Sequence, residues 1–233
     1  METRSNGVDI CHSVSSFLRV NRSLRPLRCL GHTQMALDDG GATVEMVVKV
    51  GGGVLAHREH FDAALASIGT AARDRRLLVV PGGGPFADAV REVDRRLRLP
   101  DDAAHWMAIL AMDQYACLIA ARLVGAVLVA EPREMAAALC AGHVPVLAPS
   151  RWLREADPLP HAWTVTSDSI AAWVAGRVGA RRLVLIKPPG AKAGQIVDSY
   201  FPRALPPHVT PLVVPADQEE ALRLALGGEV ERG

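Results

Sequence analysis

The chain has 233 residues, of which 49% are apolar and 4% aromatic, with 26 lysines and arginines against 25 aspartates and glutamates. That near-neutral balance excludes a protein built mainly to bind nucleic acid, which would carry a strongly basic face. The length suits one large α/β domain, or at most two small ones. No apolar run approaches the roughly 18 to 20 residues of a membrane span. The four cysteines (Cys11, Cys29, Cys117, Cys140) are widely separated, with no CxxC pair. They read as reduced thiols, Cys117 and Cys140 serving as small core residues of apolar helices. With no signal-peptide apolar region at the N-terminus, a cytoplasmic protein is predicted.

Residues 1–43 hold Arg4, Arg19, Arg22, Arg25 and Arg28, several serines and no sustained periodicity. They are expected to be a disordered extension, or residues upstream of a natural start at Met46, with a targeting or regulatory arm as the functional alternative. From Val44 the pattern alternates strand and helix as one domain over 44–233. A strand at 44–50 leads to a helix at 57–73, and a strand at 77–81 to a helix at 85–97. A long apolar helix follows at 103–123, then a strand at 126–130, a short helix at 132–140 and a strand at 143–148. Residues 149–163, with Pro149, Pro158 and Pro160, read as irregular. A helix at 168–178, a strand at 182–187 and a turn at 188–194 come next. A helix near 198–204, a strand at 211–214 and a helix at 217–226 complete the order. The strands are continuous apolar runs, such as Leu183–Val184–Leu185–Ile186. Strands buried on both faces look like this, so the expected fold is α/β, a three-layer αβα sandwich around a mostly parallel sheet.

Two strands end in glycine runs: Val47–Val48–Lys49–Val50 in Gly51–Gly52–Gly53, and Leu77–Leu78–Val79–Val80–Pro81 in Gly82–Gly83–Gly84. Glycine lets a backbone approach a ligand closely, and the N-terminus of a following helix favours negative charge. Both turns lie at the carboxyl ends of strands, where ligands bind in open α/β sheets. Phosphoryl transfer needs donor and acceptor aligned and positive charge where negative charge shifts, which Lys49 is placed to supply. Gly51, Gly52 and Gly53 would line the transferring phosphates, and Gly82, Gly83 and Gly84 the second pocket. The bland readings are a lysine reaching solvent and a tight turn without a ligand. Neither run is a P-loop or a GxGxxG fingerprint.

Asp88 and Arg91 share a helix face, as substrate contacts or as a surface ion pair. His105 and Asp113 place polar groups on an apolar helix, facing an acceptor or a satisfied interior. Thr166–Ser167–Asp168–Ser169 reads locally as a helix N-cap, and a carboxylate there could alternatively hold Lys49. Lys187 and Lys192 flank Pro188–Pro189–Gly190, as phosphate contacts or solvated loop charges. His57 and His60 share a face without a visible third ligand.

The ordered set Lys49–Val50–Gly51–Gly52, Gly82–Gly83–Gly84, Ser167–Asp168–Ser169–Ile170–Ala171 and the strand ending at Lys187 resembles the amino acid kinase superfamily. Pro81 to Asp88, Val90–Arg91, His105 to Asp113 and Ser167 to Trp173 look most like its small kinases of methanofuran biosynthesis and their bacterial relatives in tetrahydromethanopterin-linked one-carbon metabolism. The resemblance implies an ATP- and Mg²⁺-dependent kinase that phosphorylates an aminomethylfuran phosphate, with the metal carried on nucleotide phosphates rather than by a protein site. It implies Lys49 as charge stabiliser and Asp168 as its organiser. Gly51, Gly52, Gly53, Ser167, Lys187, Gly190 and Lys192 would lie on the nucleotide side. Gly82, Gly83, Gly84, Asp88, Arg91, His105 and Asp113 would lie on the acceptor side. Lys192, then Lys187, is the expected second phosphate-binding lysine. The chain departs from the family text at Gly53, often Ser, and at Lys187–Pro188, often Thr–Asp. A small-molecule substrate and a homo-oligomer are implied, with no nucleic-acid or membrane partner. The alternatives are a uridylate-type nucleoside monophosphate kinase and a non-catalytic member that stores or senses an anion.

Overall fold

The structure, a computed structural model, describes residues 43–191 and 197–227. The chain runs β1 (Met46–Val50), a 3₁₀ turn (Gly52–Ala56), α1 (Arg58–Ala71), β2 (Leu77–Pro81), α2 (Gly84–Leu97) and α3 (Asp101–Arg122). It continues through β3 (Ala126–Val129), α4 (Pro132–Cys140), β4 (Val144–Leu147), α5 (Ser150–Ala156) and α6 (Ser167–Arg177). Then come β5 (Arg182–Lys187), α7 (Phe201–Ala204), β6 (Thr210–Pro215) and α8 (Glu219–Gly227). The strands form one six-stranded, all-parallel sheet in the order β3-β4-β2-β1-β5-β6. The expected αβα sandwich is therefore what the chain builds.

The apolar strand runs make sense because side chains alternate between two buried faces. Val47, Leu78, Val80, Leu183 and Leu185 enter one core, together with residues of α4, α5, α6 and α7. Val48, Val79, Val184 and Ile186 enter the other, against α1 and α8. Helix α3 serves both: Ile109 and Met112 join the first core, Tyr115 and Ile119 the second. This double duty explains why α3 is apolar with so little sidedness.

The topology fixes where a site can lie. The chain leaves β1 for β2 on one side, but β5 pairs on the other side of β1 and continues outward to β6. The carboxyl ends of β1, β2 and β5 thus flank the point where the winding reverses, and such a point leaves an open crevice. Parity then places the lysines. Lys49 shares the face of Val47, and Lys187 that of Leu183 and Leu185, so both emerge on the side covered by α6.

Three expectations need correcting or bounding. Residues 150–156 are helical, because Trp152 and Leu153 are buried in the first core and hold a short helix between the proline-bearing flanks. Cys117 and Cys140 are exposed rather than core residues, since each sits on the outward face of its helix. Residues 1–42 and Lys192 lie outside the described residues.

Candidate active site

At the switch point the two glycine runs lie against one another. A Cβ on Gly82 would stand 2.5 Å from the amide nitrogen of Gly52, and one on Gly52 would run into the backbone of Gly84. The Gly51 amide donates to the Ile186 carbonyl at 2.8 Å, tying the first turn to β5. Gly84 has φ +56°, a conformation that side chains other than glycine's rarely tolerate. Here close approach requires glycine, because two backbones share the space one side chain would need. Beneath the first turn Tyr115 is fully buried, its hydroxyl 3.4 Å from the Gly51 carbonyl oxygen.

Three charged side chains meet under these turns. The Lys49 ammonium lies 2.8 Å from Asp168 Oδ1, and the Lys187 ammonium donates to Asp168 Oδ2 at 2.6 Å. All three residues are buried, each no more than 6% exposed. Each carboxylate oxygen thus faces one ammonium group, Oδ1 that of Lys49 and Oδ2 that of Lys187. Burial by itself would raise the Asp168 carboxyl, but the charges of Lys49 and Lys187 outweigh it and hold the group below the ordinary aspartate range. Burial, reinforced by the neighbouring Lys49 charge, pulls Lys187 below the ordinary lysine value, with Asp168 opposing in part. Two ammonium groups thus share one carboxylate at the floor of the crevice.

A second aspartate, which the sequence reading missed, fixes Asp168. Thr166 is the N-cap of α6, its Oγ1 accepting from the Asp168 amide at 3.3 Å. Asp198 accepts from the Thr166 and Ser169 amides and from both hydroxyls, at 2.5–3.1 Å. Its Oδ1 also accepts from the amides of Tyr200 and Phe201 at the start of α7. The cap expected from Ser167 or Asp168 is thus made by Thr166 and Asp198, which leaves the Asp168 carboxylate for the lysines. Only an Asp three positions before a short helix could have hinted at this in the sequence.

The crevice is lined by Lys49, Gly51–Gly53, Gly83, Gly84, Asp88, Arg91, Ser167, Asp168 and Lys187. It opens into a second pocket, and the two share Gly83, Ala87, Arg91, Thr166 and Ser167. That pocket runs between α2, α3 and the segment before α6, past Ile109 and Met112 to His105, Trp163 and Asp101. Arg91 makes the expected ion pair with Asp88 at 2.6 Å and also lines both cavities, its guanidinium 5.0 Å over the Trp163 ring. His105 is pushed down to about 4 by burial and by the adjacent charge of His161, so it is neutral at ordinary pH.

Three expected residues stand elsewhere. Asp113 lines neither cavity, and its carboxylate accepts from the Ser150 amide at 3.1 Å, capping α5. Gly190, at φ +72°, forms a turn whose amide donates to Asp217 at 3.3 Å. Gly82 holds the turns together without lining the crevice.

The chain matches the model of the amino acid kinase family over residues 45–188, which span β1 through the lysine-bearing end of β5. It is 25% identical over 162 residues to (5-(aminomethyl)furan-3-yl)methyl phosphate kinase of Methanocaldococcus jannaschii, covering 66% of this chain and 74% of that enzyme. Among solved structures it is similar to the uridylate kinase of Archaeoglobus fulgidus (TM-score 0.58, 17% identity, 80% of this chain and 97% of that one). The UMP kinase of Ureaplasma parvum is similar as well (TM-score 0.56, 16% identity, 79% and 95%). These two likenesses bear on the fold alone. With the family match covering well over half the chain, and both glycine turns and both cavities in the matched span, this protein belongs to the amino acid kinase family and is a phosphotransferase.

Proposed function

We propose that the protein is a cytoplasmic ATP-dependent kinase that adds a phosphoryl group to a phosphorylated small molecule, an aminomethylfuran phosphate. The observation that carries this reading is the buried Lys49–Asp168–Lys187 cluster in a crevice that opens into a second pocket. Nucleotide phosphates would lie along the amides of Gly51–Gly53, with Ser167 beside them. Lys49 and Lys187 would face the charge that moves from the γ-phosphorus toward the leaving oxygen. Asp168 would keep the two ammonium groups apart and aimed. The acceptor would lie past Gly83, Gly84, Asp88 and Arg91, toward His105.

The acid–base inventory supports a phosphate or carboxylate acceptor over an alcohol. An alcohol needs a base to take its proton. Asp168 is held ionised between two cations and is a poor base, and Asp88, the other carboxylate lining the crevice, pairs with Arg91. A phosphate oxygen is already ionised near neutral pH and attacks without help. The O–P bond to the acceptor forms as the γ-phosphoryl bond to ADP breaks, and no proton need move. The same donor set fits an anion rather than a bare cation, because ammonium groups face the carboxylate. Mg²⁺ would be held by the nucleotide's own phosphate oxygens and supply further charge neutralisation there.

The test is incubation with ATP and Mg²⁺ and a panel of acceptors, with mass spectrometry for the gain of one phosphoryl group. Aminomethylfuran phosphate should gain it far faster than UMP. A preference for UMP would install the uridylate-type reading. Failure to bind nucleotide while binding inorganic phosphate would install the storage or sensor reading. Light scattering on the purified chain tests assembly into a homo-oligomer.

A further inference from the structure

The segment between α5 and α6 walls the second pocket and is tied down by contacts that the reaction chemistry does not use. Its backbone turns twice, the Ala162 amide donating to the Pro160 carbonyl at 3.1 Å and the Val165 amide to the Ala162 carbonyl at 3.0 Å. Leu159 and Val165 anchor it in the first core. His161 pins it to the start of α3, with Nδ1 2.6 Å from an Asp102 carboxylate oxygen and Nε2 2.8 Å from Asp157. Trp163 then reaches α2, its indole Nε1 donating to Asp94 Oδ2 at 2.7 Å. Asp94 is itself oriented, because its Oδ1 accepts from the Leu99 amide at 2.9 Å. Backbone and N–H together fix the indole, and the Arg91 guanidinium lies 5.0 Å from the ring centroid.

Arg91 needs that support. Its side chain is half exposed, and Nη1 donates to Asp88, which is 72% exposed. Such a pair is screened by water and holds a long side chain weakly. Among the described residues no other group pairs with the guanidinium. An aromatic ring attracts a guanidinium without a carboxylate's claim on its N–H donors. Of the charged side chains lining the two cavities, Arg91 alone lines both. An acceptor that lies in the pocket and attacks a nucleotide in the crevice has its phosphate beside this guanidinium. An arginine already seated there loses less freedom when that phosphate binds.

We infer that Trp163, held by Asp94, is a positioning residue for the acceptor: it seats the Arg91 guanidinium at the passage between pocket and crevice, ready for the attacking phosphate. This rests on the acceptor reading above and deepens it, by naming what preorganises the phosphate contact. The role is indirect, since Trp163 acts through Arg91.

The test uses the full chain. NMR relaxation of the arginine Nε–H groups reports order at Arg91 without acceptor or turnover, the signal being assigned by its loss in Arg91→Lys. Arg91 should be ordered in wild type and mobile in Trp163→Leu. Trp163→Phe, which keeps a ring but not the N–H tie to Asp94, should fall between them. Equal mobility in wild type and Trp163→Leu would overturn the seat. In steady-state kinetics with ATP, Mg²⁺ and aminomethylfuran phosphate, Trp163→Leu should raise the acceptor KM about two- to fivefold, the strength of an exposed cation–π contact. The KM for ATP should not move; equal rises in both constants would mark a structural defect and overturn the assignment. In an Arg91→Ala background, Trp163→Leu should have no further effect on the acceptor KM. A second rise of the same size would show that Trp163 does not act through Arg91. If UMP is phosphorylated and aminomethylfuran phosphate is not, the acceptor reading falls, and the same comparison with UMP decides the seat. If Arg91 proves unseated while aminomethylfuran phosphate is turned over, the seat falls and the acceptor reading stands.

Discussion

Two charge clusters of this molecule are opposite in sign and built by the same rule. In the inner cluster two cations flank one anion, Lys49–Asp168–Lys187. In the outer cluster two anions flank one cation, Asp102–His161–Asp157. The inner triad is nearly closed to water, whereas Asp102 and Asp157 are exposed. Charges in low dielectric interact strongly and cannot be left unpaired, while exposed pairs are screened. Removing a member should therefore be costly inside and cheap outside.

The strongest break is at the inner cluster. Lys49→Ala should lower kcat by about 10²- to 10³-fold, the range seen when one transition-state donor is lost. The fold should survive, since Lys187 still neutralises Asp168; full activity in steady-state assays would remove Lys49 from the reaction. Asp168→Asn would leave two buried ammonium groups facing a neutral amide and should cost about 3–5 kcal/mol in chemical denaturation. At the outer cluster His161→Gln should cost about 1 kcal/mol or less, and an equal loss at both clusters would refute the contrast. Tyr115→Phe, which deletes only the hydroxyl at 3.4 Å, should cost about 0.5–1.5 kcal/mol in the same denaturation experiment.

Acidity sharpens the comparison because the two clusters fail in opposite directions. Asp168 is lowered, so its stabilisation is fully present above the ordinary aspartate value of 3.8 and disappears as pH falls through its depressed value. His161 is raised, so its contribution is complete below 6.5 and is lost as pH rises through its elevated value. Fluorescence from Trp106, whose ring meets His161 edge-on, should change as pH rises above 6.5 and His161 loses its proton, and that change should vanish in His161→Gln. Turnover should also fall on an alkaline limb below 10.5 as Lys187 loses its proton. Lys187→Arg, which cannot deprotonate, should push that limb upward; an unmoved limb would assign it to another group.

Much of the fold was legible because burial on two faces writes itself as unbroken apolar strands. The boundaries of β2 and β5 match the expected 77–81 and 182–187. Helix α5 was not legible, since seven residues between proline-bearing flanks give no period, and only packing of Trp152 and Leu153 on the core makes them helical. At the site, Lys49 and the glycine turns carried local signals. Lys187 carried an ambiguous one, because a lysine before Pro-Pro-Gly looks solvated until β5 is known to pair with β1. Asp113 misled because its partner, Ser150, is distant in sequence. Asp198 gave little signal for the same reason, its partners lying 29 and 32 residues away.

The order of strands and helices and the placing of glycine where backbones must crowd were set by the sequence itself, because periodicity and glycine's missing Cβ act within a few residues. Which charges meet was decided only by the tertiary structure. Strand order brings residues 49 and 187 side by side, the packing of α6 on that face adds 168, and the approach of α3 to the segment before α6 brings 102 to 161. Electrostatic pairing depends on distance through space, and local sequence does not encode it.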